Sequence, residues 1–115
     1  CTGFPYDVHR EPEPPLALFS AYLQRARGIR RMGSAALDLA YVACGRFDGF
    51  WEMKLKPWDL APGILLVREA GGVATDFAGG DGMLASGEVC AAYRPLHPRL
   101  LGVLAEVRAT ASGGR

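Results

Sequence analysis

The stretch from Lys56 to Gly72, KPWDLAPGILLVREAGG, constrains the fold more than any other segment of the chain. It is apolar from Leu60 through Val67, carries a proline at position 62, and closes on two glycines. A proline deep in a helix costs about 3 kcal/mol, whereas the first helical turn tolerates it. Pro62 therefore predicts a helix that begins just after Asp59 and stops at Gly71-Gly72. Asp59 is expected at the N-cap or close to it, where a carboxylate accepts a hydrogen bond from the second or third backbone N–H. With Leu60 as the first helical residue, Pro62 is the third and has no N–H, so Asp59 keeps lone pairs for another partner. The helix dipole favours its ionised form. An acid beside an apolar run is unusual unless it is paired or bound to metal. Capping is the simplest account, and one carboxylate is too few for a Mg²⁺ site.

Elsewhere the helix and strand patterns alternate. REPEPP, residues 10 to 15, leads into a helix at Pro15 with Leu16, Phe19 and Leu23 on one face, fading near Gly28. Residues 29 to 32 are expected to form a short strand. Ser34 is placed to cap a helix that runs to about Cys44, with Gly45 beyond its end. That helix is apolar almost all round, so it should be covered on several sides. Its one charge, Asp38, is expected to be solvated or hydrogen-bonded near the N-terminal turn. Residues 48 to 53, 73 to 78 and 88 to 93 read as strands, with Glu52 pointing outward by alternation. Residues 79 to 82, GGDG, form a turn; they lack the lysine and the spacing of a phosphate-binding P-loop. Pro98 opens a last helix with Leu100, Leu101, Leu104 and Val107 on one stripe, and a frayed tail follows from residue 110. This order predicts an α/β layered domain.

Composition sets the outer limits. A chain of 115 residues with 50% hydrophobic and 22% charged side chains is one globular domain at most. A formal charge of +1 argues against nucleic acid or an anionic membrane as the dominant partner, and no apolar run reaches the length of a membrane span. Cys1, Cys44 and Cys90 are odd in number and widely spaced. They suggest buried free thiols in a reducing, cytoplasmic setting rather than a disulfide framework or zinc site. Arg25, Arg27, Arg30 and Arg31 cluster without interleaved aromatics, which fits a solvated edge or subunit contact better than a nucleic-acid surface. Ser34 has no histidine near it in sequence, so a nucleophilic role is not supported. The opening CTGFPYD reads like a loop entered from an earlier element, as in a piece of a longer protein.

Residues 30 to 72, RRMGSAALDLAYVACGRFDGFWEMKLKPWDLAPGILLVREAGG, closely resemble the C-terminal half of the inositol monophosphatase family. Trp58-Asp59-x-Ala61-x-Gly63, followed by Glu69-Ala70-Gly71-Gly72, is similar to that family's second signature. TGFPYD near the start and GEVCAAYRPLHPRLLGVL near the end fit as well, so the resemblance covers nearly the whole chain. Pro62 departs from the pattern, which more often has alanine there. The resemblance implies a C-terminal α/β domain over residues 1–109 of a layered αβαβα fold, with a mixed sheet flanked by helices, and a disordered tail over 110–115.

It also implies Mg²⁺-dependent hydrolysis of a phosphate monoester by the intact protein, most readily inositol 1-phosphate to myo-inositol and phosphate. Asp59 would be a Mg²⁺ ligand close to the substrate, Glu52 would contact substrate hydroxyls, and Gly33, Ser34 and Ala35 would line the substrate at a helix start. Free N–H groups at a helix N-terminus make that last role chemically sensible. Sister activities on fructose 1,6-bisphosphate, histidinol phosphate or a nucleotide bisphosphate stay open. So does a non-catalytic protein-binding or regulatory role, for which the arginine segment is the only support. The family's first signature, Asp-Pro-Ile/Leu-Asp-Gly-Thr, and its upstream ligand glutamate do not occur here; Asp7, Asp38, Asp48, Asp76 and Asp81 are scattered. By the resemblance, the remaining ligands and the water-activating groups would sit on an N-terminal half outside these residues, and the 115 residues alone are expected to hydrolyse no phosphate ester. The intact protein is expected to be a homodimer, and the domain alone should expose apolar surface that the other half covers.

Overall fold

Three short strands form the centre of the structure. The computed structural model describes residues 1–113, with side chains through Thr110. The strands β1 (Gly49–Glu52), β2 (Val73–Thr75) and β3 (Val89–Ala92) lie in the order β1-β3-β2, both neighbouring pairs antiparallel. The helices are α1 (Pro15–Leu23), α2 (Ala35–Ala43), α3 (Pro57–Glu69), α4 (Met83–Ser86) and α5 (His97–Gly113).

The sheet separates two cores. Strand alternation sends Phe50, Val89 and Ala91 toward α2 and α3, where Leu39, Leu60, Ile64 and Val67 meet them. Trp51 and Cys90 face the opposite way, toward Leu18 and Tyr22 of α1 and Val103 and Leu104 of α5. β3 is buried along its whole length, as a central strand covered on both faces must be. Helices thus flank the sheet on each side, in the α/β arrangement read from the sequence. The named strands are all antiparallel; a single parallel bridge, Thr2 to Trp51, makes the sheet mixed at one edge.

Several local expectations change. In α1 the packed face is Pro15, Leu18 and Tyr22, while Leu16 and Leu23 are exposed. The Tyr22 hydroxyl selects this face by donating to the Leu100 carbonyl at 2.7 Å, with its ring on Trp51 at a centroid distance of 4.0 Å. Residues 29 to 32 form no strand. β2 stops at Thr75 because Asp76 turns the chain, its carboxylate accepting N–H bonds from Ala78, Gly80 and Gly82. The short α4 follows, unforeseen in a segment of little periodicity. Helix α5 extends through Gly113, past the point where a tail was expected; the rest of that tail, 114 and 115, lies outside the described residues. The cysteines are free, but only Cys90 is buried; Cys44 is exposed and Cys1 intermediate.

Apolar surface is exposed on the outward side of α3, where Trp58, Leu65 and Leu66 project, with Leu37 of α2 also exposed. Among the described residues, no helix is long and apolar enough to cross a membrane.

Candidate functional site

The first turn of α3 is built differently from the sequence expectation. Pro57 takes the first helical position, Lys56 is the N-cap, and Asp59 stands third inside the helix. Its Oδ2 accepts the Lys56 N–H at 3.0 Å, and its own N–H donates to the Lys56 carbonyl at 2.9 Å. Asp59 therefore closes the helix start from within rather than capping it from outside. Two prolines could each mark a helix start, and Pro57 wins because its fixed φ suits the first position. Pro62 lies within the helix, with no N–H to offer the Trp58 carbonyl four residues back. Asp59 is half-buried, and among the described residues no hydrogen bond engages its Oδ1.

Glu52 ends β1 and is buried, contrary to the outward placement that alternation suggested. Phe50 and Glu52 share the face covered by α2 and α3, so the side chain points into the layer that also holds Asp59. Its carboxyl packs against the Cα of Gly3, where no side chain could stand. Burial raises its pKa to about 7, and the charges of Asp38 and Asp59 push in the same direction while Arg31 opposes them.

Ser34 does what the sequence indicated. Its backbone is extended and its Oγ accepts the Leu37 N–H at 3.3 Å, so α2 starts at Ala35. Gly33, at φ +91°, leads into this cap and is exposed. Replacing Ser34 by alanine should cost about 1 kcal/mol. Urea unfolding should show this as a lower midpoint at unchanged slope.

One residue of the site was read wrongly. Asp38 is fully buried, and neither carboxylate oxygen has a hydrogen-bond partner among the described residues. Burial raises its pKa to about 6, against the pull of the Cys1 ammonium and Arg31. The sequence signal was present: a single acid in an otherwise apolar helix that must be covered on several sides. Helices α2 and α3 thus bring Asp38 and Asp59 within electrostatic reach of Glu52 on β1, and Arg31 is a nearby counter-charge.

The donor chemistry is all oxygen, which suits a hard cation such as Mg²⁺. Among the described residues no three His, Cys, Asp or Glu side chains are grouped to hold a metal, so Asp59 can offer an oxygen but not a complete site. The buried imidazole of His97 lies against the other side of the sheet, its Nε2 within 2.9 Å of Thr75 Oγ1 and 3.2 Å of the Cys90 carbonyl. Arg25 forms an exposed pair with Glu106 at 2.7 Å, and Arg27, Arg30 and Arg31 are exposed, as a solvated edge requires.

A family model described as the inositol monophosphatase family matches residues 1–109. The putative Nus factor SuhB of Neisseria meningitidis serogroup B is 47% identical over 103 residues, covering 90% of this chain and 40% of that protein. An inositol-1-monophosphatase of Mesorhizobium japonicum is 58% identical over 74 residues, 64% of this chain and 28% of that protein. The solved inositol monophosphatase of Anabaena superposes with a TM-score of 0.87 at 42% identity, over 91% of this chain and 43% of that one. The chain thus spans about 40% of the length of the first relatives it matches.

Proposed function

Because the chain belongs to the inositol monophosphatase family, we propose that it supplies the C-terminal part of the active site of a Mg²⁺-dependent phosphate monoesterase. Inositol 1-phosphate is the substrate this reading favours. The observation that carries it is the family match over residues 1–109; a half-buried Asp59 and a buried Glu52 stand where the resemblance implies a metal ligand and a substrate contact. Asp59, with one oxygen held by the Lys56 N–H and the other without a hydrogen bond among the described residues, would offer a single ligand to Mg²⁺. The rest of the set would come from residues outside these 115. When bound, Mg²⁺ supplies charge neutralisation at the phosphate oxygens and the leaving oxygen. Glu52, once ionised, would accept hydrogen bonds from substrate hydroxyls, and the α2 start at Gly33, Ser34 and Ala35 would present backbone N–H groups to the ester.

The test is made on the full-length protein. Asp59→Asn should weaken Mg²⁺ binding, read by titration calorimetry, by at least the roughly 10–100-fold that loss of even an outer-shell partner causes. Phosphate release from inositol 1-phosphate should fall with it. Unchanged Mg²⁺ affinity in the variant would refute ligation by Asp59. A panel of fructose 1,6-bisphosphate, histidinol phosphate and a nucleotide bisphosphate separates the sister activities.

A second reading rests on the relatives named Nus factor, among them SuhB of Escherichia coli at 48% identity over 90 residues. There the exposed arginines 25 to 31 would meet a protein partner, and the carboxylates would be incidental. Replacing Arg27, Arg30 and Arg31 by glutamine should abolish such an interaction in a pull-down that Asp59→Asn leaves intact.

A further inference from the structure

Two residues beyond Glu52 the backbone adopts a conformation that glycine would take more easily. Lys54 has φ +60°, the one residue other than glycine in the left-handed region among those described. That conformation carries a cost for any residue with a side chain, and it persists where the surroundings over-determine it. On one side the loop from β1 to α3 is tied down: the Leu55 N–H donates to the Gly87 carbonyl and the Lys56 N–H to Asp59 Oδ2, both at 3.0 Å. The Lys54 ammonium is therefore carried on a fixed stretch of backbone.

Residues 2–11 run along β1 and this loop. The Thr2 Oγ1 donates to the Trp51 carbonyl at 2.7 Å, and Gly3 lies against the Glu52 carboxyl, too close for any Cβ. The chain then coils into successive turns. The Val8 N–H donates to the Pro5 carbonyl at 3.0 Å, and those of Arg10 and Glu11 to the Asp7 carbonyl at 2.9 Å. These turns bring two carboxylates together, and the Lys54 ammonium takes both, at 2.9 Å to Asp7 Oδ2 and 3.0 Å to Glu11 Oε2. The hydrogen bond from Lys54 holds the Asp7 carboxyl below its usual range, and Asp7 and Glu11 hold the Lys54 ammonium above its own. Three contacts thus follow one another: Thr2 on Trp51, Gly3 on Glu52, and the 5–11 turns on Lys54.

We propose that Lys54 is a latch that holds the 5–11 turns in place so that Gly3 stays against the Glu52 carboxyl, which makes Lys54 a positioning residue for the substrate contact assigned to Glu52. The positioning role rests on the phosphatase reading above; the latch itself does not. One ammonium serves two carboxylates of the same coiled segment, so its loss frees both attachments at once. Among the described residues no hydrogen bond orients the Glu52 carboxyl, so packing, with Gly3 as one wall, sets its direction. The latch also accounts for a lysine where the backbone alone favours glycine: its side chain supplies the tie that holds the segment.

The test uses the full-length protein and two variants. Lys54→Gly removes the ammonium while easing the backbone, and Lys54→Arg keeps the cation. Amide exchange at Val8, Arg10 and Glu11 should be about fivefold faster in Lys54→Gly, the scale expected for losing two exposed ion pairs, and close to the parent rate in Lys54→Arg. Molar salt should reproduce the acceleration in the parent and add nothing in Lys54→Gly, because screening removes the same attraction. With inositol 1-phosphate, Lys54→Gly should raise KM about fivefold at unchanged kcat, and Lys54→Arg should restore it. Parent exchange rates in Lys54→Gly overturn the latch, as does a parent indifferent to salt. Faster exchange with an unchanged KM overturns the positioning role. A parent that hydrolyses none of the phosphate esters named above fails the phosphatase reading and the positioning role with it, while exchange still decides the latch.

Discussion

Valine at position 63 should destabilise the chain by about 3 kcal/mol, at the upper end of what overpacking a tight contact costs. A Cβ built on Gly63 would lie 2.5 Å from both the Cβ and Cδ1 of Leu39, which is itself fully buried. No side chain accommodates that approach, so α2 and α3 would have to part along their length. Alanine makes the sharper control. Helix propensity alone favours alanine over glycine by roughly 1 kcal/mol in a helix interior. If the contact is as close as the geometry shows, the clash outweighs that gain and Gly63→Ala is also destabilised. Urea unfolding should give falling midpoints in the order glycine, alanine, valine at constant slope. An alanine variant as stable as the parent would show that the helices do not touch there. The same contact explains a glycine in the Trp58-Asp59-x-Ala61-x-Gly63 motif: it sets how close α3 lies to α2, and so how Asp59 is placed relative to the α2 start. In the full-length protein, the phosphatase activity proposed above should therefore suffer in Gly63→Val, although residue 63 is buried between the helices.

Features decided locally were legible in the sequence. The Ser34 cap needs only a hydroxyl three residues ahead of a free N–H, and it stands where it was read. The α5 stripe of Leu100, Leu101, Leu104 and Val107 is at least partly buried throughout, because a single spacing was available to it. In α1 two sets, 16-19-23 and 15-18-22, share the same helical spacing, and a hydrogen bond to Leu100, 78 residues away, selects the second. The start of α3 was ambiguous for a similar reason, since Pro57 and Pro62 each satisfy a first-turn rule. Burial of Glu52 lay beyond pattern reading, and that of Asp38 was signalled only by its being the one acid in an apolar helix. Glu52 is enclosed by the backbone at Gly3, 49 residues away in sequence, which no local pattern reports. Of the candidate site, the helix starts were thus readable in outline from composition and spacing. The metal and substrate roles of Asp59 and Glu52 came from resemblance alone, and the charge coupling among the acids came from the fold.

Stability should decline as pH rises from 5 to 8, opposite to the trend of a protein held by salt-bridged carboxylates. Burial raises Asp38 to about 6 and Glu52 to about 7, above the unfolded values of about 3.9 and 4.3. Between those limits the native state binds more protons than the unfolded chain, so the free energy of unfolding falls as pH increases. Below the unfolded values both groups are neutral in either state and the penalty is absent; above the folded values it is complete. Groups lowered on folding act in the other direction: burial of His97 and of the Cys1 ammonium disfavours their charged forms, so both favour the folded state as pH rises toward their unfolded values and blunt the decline, while Asp76, stabilised as a carboxylate chiefly by the Gly80 N–H, loses its contribution as pH falls through its folded pKa. A stability maximum should therefore lie near pH 4, about where the two acids titrate in the unfolded chain. Asp38→Asn removes a buried charge that lacks hydrogen bonds, and should raise stability at pH 8 by about 1–3 kcal/mol, the cost of an unsatisfied buried polar group. That gain should vanish at pH 4, because the parent is then uncharged at the same site. Glu52→Gln should flatten the slope over the upper part of the range, where Asp38→Asn does not, because Glu52 titrates later. Urea midpoints at pH 4, 5, 6.5 and 8 distinguish the contributions. A parent midpoint that rises between pH 5 and 8, or an Asp38→Asn variant that keeps the parent's full slope, would mean that these acids are solvated or paired, and the charge-coupled site built on them would not exist.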